Sequence, residues 1–171
     1  MATLILTVIG DDRPGLVSAL STPISEHGAS WERSQMSRLA GKFAGIVLIS
    51  VPADRLDALV AELSALREVG LQVVTERADD PPVAESLRLR LELLGDDHPG
   101  IVAEISAALA ERHVSIEELS TDVREAPMSG GTLFEASAVL VAPRGTSSES
   151  LRSMLEGLAA DLMVEVRLSD D

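Results

Sequence analysis

Apolar and polar positions along this chain follow two periods that alternate in a fixed order. The stretches "TLILTVI" (3–9) and "SLRLRLELL" (86–94) are β-rich or strictly alternating, the period-two pattern of a strand. After each comes a helical period: Leu16, Leu20 and Ile24 in one place, Ile101, Ile105 and Leu109 in the other, spaced to line one face of a helix. Two further strands are predicted at roughly 30–40 and 43–51, and again at 114–125 and 132–142. A second amphipathic helix is carried by Leu56, Leu59, Val60, Leu63 and Leu66, and again by Leu151, Leu155 and Leu158. "LQVVTE" and "LMVEVRL" close the two series as strands. Pro23 falls inside the first helical pattern, where an interior proline costs about 3 kcal/mol. Its counterpart is Ala108, so a bent or shortened helix is expected in the first copy alone.

The two series are copies of one unit. "GDDRPG" (10–15) aligns with "GDDHPG" (95–100), and "FAGIVLISVP" (43–52) aligns with "FEASAVLVAP" (134–143). The offset grows by six residues between these blocks, which assigns a longer loop around "EAPMSGG" to the second copy. Between the copies, "ADDPPVAES" is polar and holds two prolines, the composition of an extended linker. The expected organisation is a first unit over 1–77, a linker over 78–86 and a second unit over 87–171. The order βαββαβ, twice, is the split-βαβ ferredoxin-like plan of the α+β class. Each unit should be a four-stranded antiparallel sheet with both helices on one face.

The repeated turn carries the candidate chemistry. Asp12 and Asp97 are placed to cap the following helix. Pro14 and Pro99 suit its first turn, and Gly15 and Gly100 allow another group to approach the backbone. Free first-turn N–H groups form an anion site suited to a carboxylate. The leading acids, Asp11 and Asp96, add a charge able to meet an ammonium. An α-amino acid zwitterion presents both groups. The alternative is that the motif is helix-start chemistry alone, duplicated with its fold.

"GDDRPGLVSALSTPISEHGASWERS" and "GDDHPGIVAEISAALAERHVSIEEL" resemble the opening of ACT domains, the small-molecule sensing modules of amino-acid metabolism. Two in tandem with little else attached are similar to the glycine cleavage system transcriptional repressor group. The resemblance implies a regulatory protein, not an enzyme, that senses a small amino acid, glycine among the candidates, at domain interfaces. It implies ligand contacts from Gly10, Asp11, Asp12, Arg13, Pro14, Gly15 and Leu16, and from Gly95, Asp96, Asp97, His98, Pro99, Gly100 and Ile101. Many ACT domains open strand two with Asn-Ile or Asn-Val. Here Ser30-Trp31 and Ser115-Ile116 stand there, so Ser30 and Ser115 join the candidates as hydroxyl donors. Arg13 against His98 suggests that the two sites are not equivalent.

Composition narrows the classes. Net charge is −14, with 7 basic and 11 acidic residues over 1–80 and 7 and 17 over 81–171. Such a surface repels phosphate backbones, and 2% aromatics leave no base-stacking platform, so direct nucleic-acid binding is not expected. Transcriptional control would then run through a DNA-binding regulator or a metabolic enzyme as partner. The absence of cysteine removes disulfides, thiolate metal sites and a thiol nucleophile. With no membrane-length apolar run and no signal-like N-terminus, a cytoplasmic protein is expected, without a membrane partner. Neither a nucleophile elbow nor a phosphate-binding loop appears, so no catalytic residue and no cofactor are assigned. Three histidines (His27, His98, His113) do not suggest a metal site.

One surface pattern bears on assembly. On the strand face away from the helices, the second copy presents Arg88, Arg90, Glu92, Glu135, Ser137, Glu165 and Arg167. The first presents Ile5, Thr7, Ile9, Ala44, Ile46 and Leu48. An apolar patch of this size is expected to be covered, by the same surface of a second chain in a homodimer or by another partner. A ligand-free interaction or scaffold module is the alternative function.

Overall fold

The computed structural model describes residues 1–78, 86–128 and 130–171. The chain divides into two compact units, Met1–Pro81 and Pro82–Asp171. Most of the expected linker, 79–85, lies outside the described residues.

Unit 1 runs β1 (Ala2–Asp11), α1 (Leu16–Glu26), β2 (Ser30–Leu39), β3 (Lys42–Val51), α2 (Leu56–Ala65) and β4 (Leu71–Arg77). Unit 2 repeats the order with β5 (Ser86–Asp96), α3 (Ile101–Glu111), β6 (Ser115–Glu125), β7 (Thr132–Pro143), α4 (Ser148–Leu162) and β8 (Val164–Asp170). The sheets are ordered β2-β3-β1-β4 and β6-β7-β5-β8, and every pairing is antiparallel. The first strand of each unit is therefore a central strand.

Alternation decides which face of each sheet is covered. Leu4, Leu6 and Val8 of β1 and Val47, Ile49 and Val51 of β3 are buried with Leu16, Leu20 and Ile24 of α1 and Leu56, Leu59 and Leu63 of α2. In unit 2 the core holds Leu89, Leu91 and Leu93 of β5, Ala138, Leu140 and Ala142 of β7, and Leu151, Leu155 and Ala159 of α4. Both edge strands β2 and β6 carry a bulge, at Glu32 and at Glu117. Among the described residues, no helix is long and apolar enough to cross a membrane.

Pro23 does not shorten α1: α1 and α3 are both 11 residues long. Pro23 stands near the helix end with its ring buried, so only the bond to the Ala19 carbonyl is forfeited. His27 N still donates to the Pro23 carbonyl at 3.1 Å. Leu162 and Met163, expected in the last strand, instead finish α4 and its left-handed cap.

Helix ends separate the copies. Unit 1 places Gly28 (φ +67°) and Gly70 (φ +83°) where the chain leaves its helices in the left-handed region; unit 2 places His113 (φ +57°) and Met163 (φ +55°) at the matching points. A Cβ there costs about 1 kcal/mol, and glycine avoids it. His113→Gly and Met163→Gly should each stabilise the protein by about 0.5–1 kcal/mol in urea denaturation, because both side chains are exposed and no packing is lost.

Candidate functional site

The two glycines of each repeated turn serve different purposes. Gly10 ends β1 beside the start of β4: a Cβ on it would sit 2.7 Å from the Gly70 carbonyl oxygen. Gly95 is enclosed likewise, 2.7 Å from Val164 Cγ1 and 2.9 Å from the Met163 carbonyl oxygen. A Cβ on Gly15 would point into open space, and one on Gly100 would meet only a Glu104 carboxylate oxygen at 3.6 Å, an ordinary contact. Both glycines are needed for their backbone, at φ +92° and +99°.

That left-handed step corrects the capping assignment. α1 starts only at Leu16, with Gly15 as N-cap and no side chain accepting from the first turn; α3 starts the same way after Gly100. Asp12 and Asp97 lie three residues ahead of the N-cap and do not cap, and Pro14 and Pro99 precede the helix instead of occupying its first turn. The first helical bond is backbone only, Ala19 N to the Gly15 carbonyl at 2.9 Å and Glu104 N to the Gly100 carbonyl at 2.9 Å. The N–H groups ahead of it stay free of side-chain partners, at the positive end of the helix dipole.

Tertiary contacts hold the turn from two sides. Asp12 N donates to the Gly41 carbonyl, and Asp97 N to the Thr132 carbonyl, each at 2.9 Å, tying the turn to the β2–β3 or β6–β7 hairpin. On the other side Arg13 donates to the Val69 carbonyl. His98 does the corresponding work: its Nε2 lies 2.8 Å from the Leu162 carbonyl and its Nδ1 3.0 Å from the Pro99 carbonyl. The two unlike residues thus share one structural task, latching the turn to the end of the second helix. A neutral imidazole carries one ring proton, whereas the imidazolium satisfies both carbonyls. The hydrogen bond to Leu162, followed by that to Pro99, accordingly raises the His98 pKa above its ordinary value.

The copies differ in how their acids are balanced. In unit 1, Lys42 donates to Asp11, and Arg38 Nη1 lies 3.3 Å from Asp12. The Lys42 hydrogen bond, and then its charge, lower the Asp11 pKa. In unit 2 no cation pairs with Asp96 or Asp97 among the described residues, and the residue facing Asp96 across the sheet is Leu133. Glu104 adds to this acidity, with a carboxylate oxygen 3.6 Å from where a Gly100 Cβ would lie; the matching residue in unit 1 is Ala19. Arg38, Lys42 and Glu104 were not among the residues singled out from the sequence. Their relevance comes from strand pairing, which brings Lys42 opposite Asp11.

Ser30 and Ser115 are not brought to the turn. β2 runs parallel to β1 two strands away, so Ser30 stands level with Thr3, and the turn begins after Asp11. Eight residues of strand, about 26 Å, separate them within the unit. Within the two turns Gly10, Leu16 and Ile101 are buried and Gly95 and His98 half-buried, while the remaining residues are exposed. A shallow cavity of about 460 Å³ lies elsewhere, on the open sheet face of unit 2 between Glu92, Asp122, Glu135 and Arg167, and shares no residue with the turn. Among the described residues no group of three or more metal-ligating side chains converges.

Comparison with known proteins follows this duplicated layout. The family described as ACT domain matches twice, over residues 2–76 and 88–169. The glycine cleavage system transcriptional repressor of Escherichia coli (strain K12) is 22% identical over 163 residues, spanning 93% of this chain and 85% of that protein. Phosphoserine phosphatase SerB2 of Mycobacterium tuberculosis is 33% identical over 84 residues, 47% of this chain but 20% of that protein. Among solved structures, an unknown protein from Galdieria sulphuraria superposes with a TM-score of 0.89 at 29% identity, covering 99% of this chain and 98% of that one.

Two consequences are measurable. Gly10→Ala should cost about 1–3 kcal/mol in denaturant titration, because its Cβ meets backbone that cannot step aside. Because the folded pKa of His98 is raised, its contribution to stability is complete below the unfolded value of about 6.5 and fades as pH climbs through the folded one. Wild type should therefore lose stability relative to His98→Arg as pH rises from the unfolded value of about 6.5 through the raised folded one, and the His98 ring should titrate above an ordinary histidine by NMR.

Proposed function

Since the chain belongs to the ACT domain family, we propose that it is a non-enzymatic regulatory protein whose unit 1 turn, Gly10 to Leu16, binds the carboxylate of a small amino acid. The observation that carries this is the uncapped first turn of α1 together with the neutralisation of its acids by Lys42 and Arg38. Free N–H groups and a helix dipole favour an anion only where neighbouring carboxylates do not repel it. Unit 2 offers the same backbone under less favourable charge, with Asp96 and Asp97 unpaired among the described residues and Glu104 beside the turn. The two turns therefore have unequal affinity, with unit 1 the stronger.

A single unit leaves the turn open to solvent, so closure over a ligand comes from outside that unit. A ligand that binds the closed arrangement better than the open one shifts the balance between them, and this is the only way it regulates. The proposed output is protein contact: a second copy of the chain, and beyond it a DNA-binding regulator or metabolic enzyme of amino-acid metabolism. A net charge of −14 disfavours direct contact with DNA. The similarity to a glycine cleavage system repressor makes glycine the first ligand to try.

Calorimetry against the proteinogenic amino acids tests this. A ligand of millimolar affinity or better is expected. Ala19→Glu, which gives unit 1 the carboxylate that unit 2 already tolerates, should weaken it about tenfold, and Glu104→Ala should not weaken it. No binding by folded protein across the panel would replace the sensor with a ligand-free scaffold, a reading the exposed apolar face of unit 1 would then support.

A further inference from the structure

The open faces of the two sheets occupy the same scaffold with opposite chemistry. In unit 1 the side away from the helices presents Ile5 (37% exposed), Ile9 (44%), Ile46 (51%) and Val74 (46%), with Leu48 half-buried among them. Unit 2 builds the same four-stranded sheet with Arg90, Leu94, Ser137, Arg167 and Val139 at the matching positions. The charges on that second face answer one another in water: Arg124 pairs with Glu135, Arg167 approaches Glu92 at 3.7 Å, and Arg90 reaches Asp171 at 2.7 Å. Unit 2 serves as an internal control. At the positions of Ile5, Ile46 and Val74 unit 2 carries Arg90, Ser137 and Arg167, so the fold does not need apolar residues there and the apolar surface of unit 1 at those points is free to serve a contact.

The cross-strand register identifies the partner. One row of the unit 1 face reads Arg33, Leu48, Ile5, Glu76 across β2, β3, β1 and β4. Its edges are a cation and an anion, both exposed, and neither has an ion-pair partner among the described residues. The next row is Gln35, Ile46, Thr7, Val74, and the one after it is Ser37, Ala44, Ile9, Gln72. We propose that this face is the interface of a homodimer, in which a second copy packs its own unit 1 face on the first about a two-fold axis running parallel to the strands.

That axis lays β2 of one chain over β4 of the other, so Arg33 meets the partner's Glu76 at both ends of the row. In the middle it sets Leu48 against Ile5, Ile46 against Thr7, and Ala44 against Ile9, pairing larger with smaller side chains in the last two. Facing sheets pack aligned within about 30° and about 10 Å apart, which keeps these rows in register near the axis. A two-fold across the strands would instead put Arg33 on the same edge as its own copy and forfeit the pairing. A charged cover is a poor alternative, because its charges would lose water without gaining partners. Size is also adequate. Four strands about 4.8 Å apart and about 30 Å long give a footprint on the order of 500 Å². With its side-chain relief this approaches the roughly 800 Å² per partner of a standard interface. This inference concerns the second-copy partner of the reading above and is independent of amino-acid binding.

Sedimentation equilibrium of the full chain tests it. Wild type is expected to dimerise. Ile46→Glu should raise the dissociation constant about a hundredfold or more, since each substitution acts twice in a symmetric interface. Ile46→Ser, the residue unit 2 carries at this position, guards against misfolding and should weaken the dimer with unchanged circular dichroism. Arg33→Glu should weaken it about tenfold, and adding Glu76→Arg should restore it. A strict monomer at several hundred micromolar overturns the proposal and hands the face to a different protein. A dimer indifferent to Ile46→Glu also overturns it, by placing the contact elsewhere. Failure of the charge exchange to restore association rejects the strand-parallel axis. The amino-acid calorimetry is read on wild type and the dimer by sedimentation without ligand, so either idea can fail alone.

Discussion

At the end of each central strand a glycine lies against the backbone that leads out of the second helix. In unit 1 the Gly70 carbonyl occupies the space a side chain on Gly10 would need, and in unit 2 Val164 and Met163 crowd Gly95 in the same way. Any larger residue forces the last strand away from the central one and opens the core beneath it, where Leu71 or Val164 is buried. The constraint also positions the turn that follows. Because β1 must end at that spot, the next residues emerge between the β2–β3 hairpin and the end of the second helix. There the Asp12 amide meets the Gly41 carbonyl and Arg13 reaches Val69. The free amides of α1 therefore face outward from a turn braced on both sides.

With the backbone so constrained, duplication left the side chains free to diverge. The second unit keeps the packing, the topology and the close approach, yet exchanges the latch from arginine to histidine and, among the described residues, leaves its leading acids without cations. It also tolerates His113 and Met163 in conformations that the first unit gives to glycine. Its open sheet face carries ion pairs through Arg90, Glu92, Glu135 and Arg167 where the centre of the first unit's face is apolar. Each exchange occurs where the protein core makes no demand. The two halves are thus one fold with two surfaces: the first balances the acids of its turn and leaves its open sheet face largely apolar, and the second, among the described residues, does neither.

Regulation by such a protein needs a link between ligand and assembly. In unit 1 the turn and the apolar face share β1: its helix-facing residues Leu4, Leu6 and Val8 are in the core, its alternate residues Ile5 and Ile9 are on the open face, and its end is the turn itself. A change in how β1 is held at Gly10 is felt on both sides of the sheet. That shared strand joins the proposed ligand turn to the proposed contact surface.

The repeat, the order of elements, the buried faces and the apolar open side were all legible from residue spacing, because period and alternation act locally. So was the Gly-Asp-Asp-x-Pro-Gly turn as a repeated strand-to-helix element, although its internal chemistry differs from the pattern: Asp12 reads as a cap, yet the left-handed step at Gly15 starts the helix beyond its reach. What spacing could not supply was every relation between residues far apart along the chain. That Lys42 neutralises Asp11, that Arg13 and His98 perform one task, that Ser30 stands at the opposite end of the sheet, and that Arg33 shares a row with Glu76 all follow from strand order and register. Those are set when hydrogen bonds close between segments tens of residues apart. Local pattern determined what the elements are and which way they face; only the folded sheet decided which charges meet.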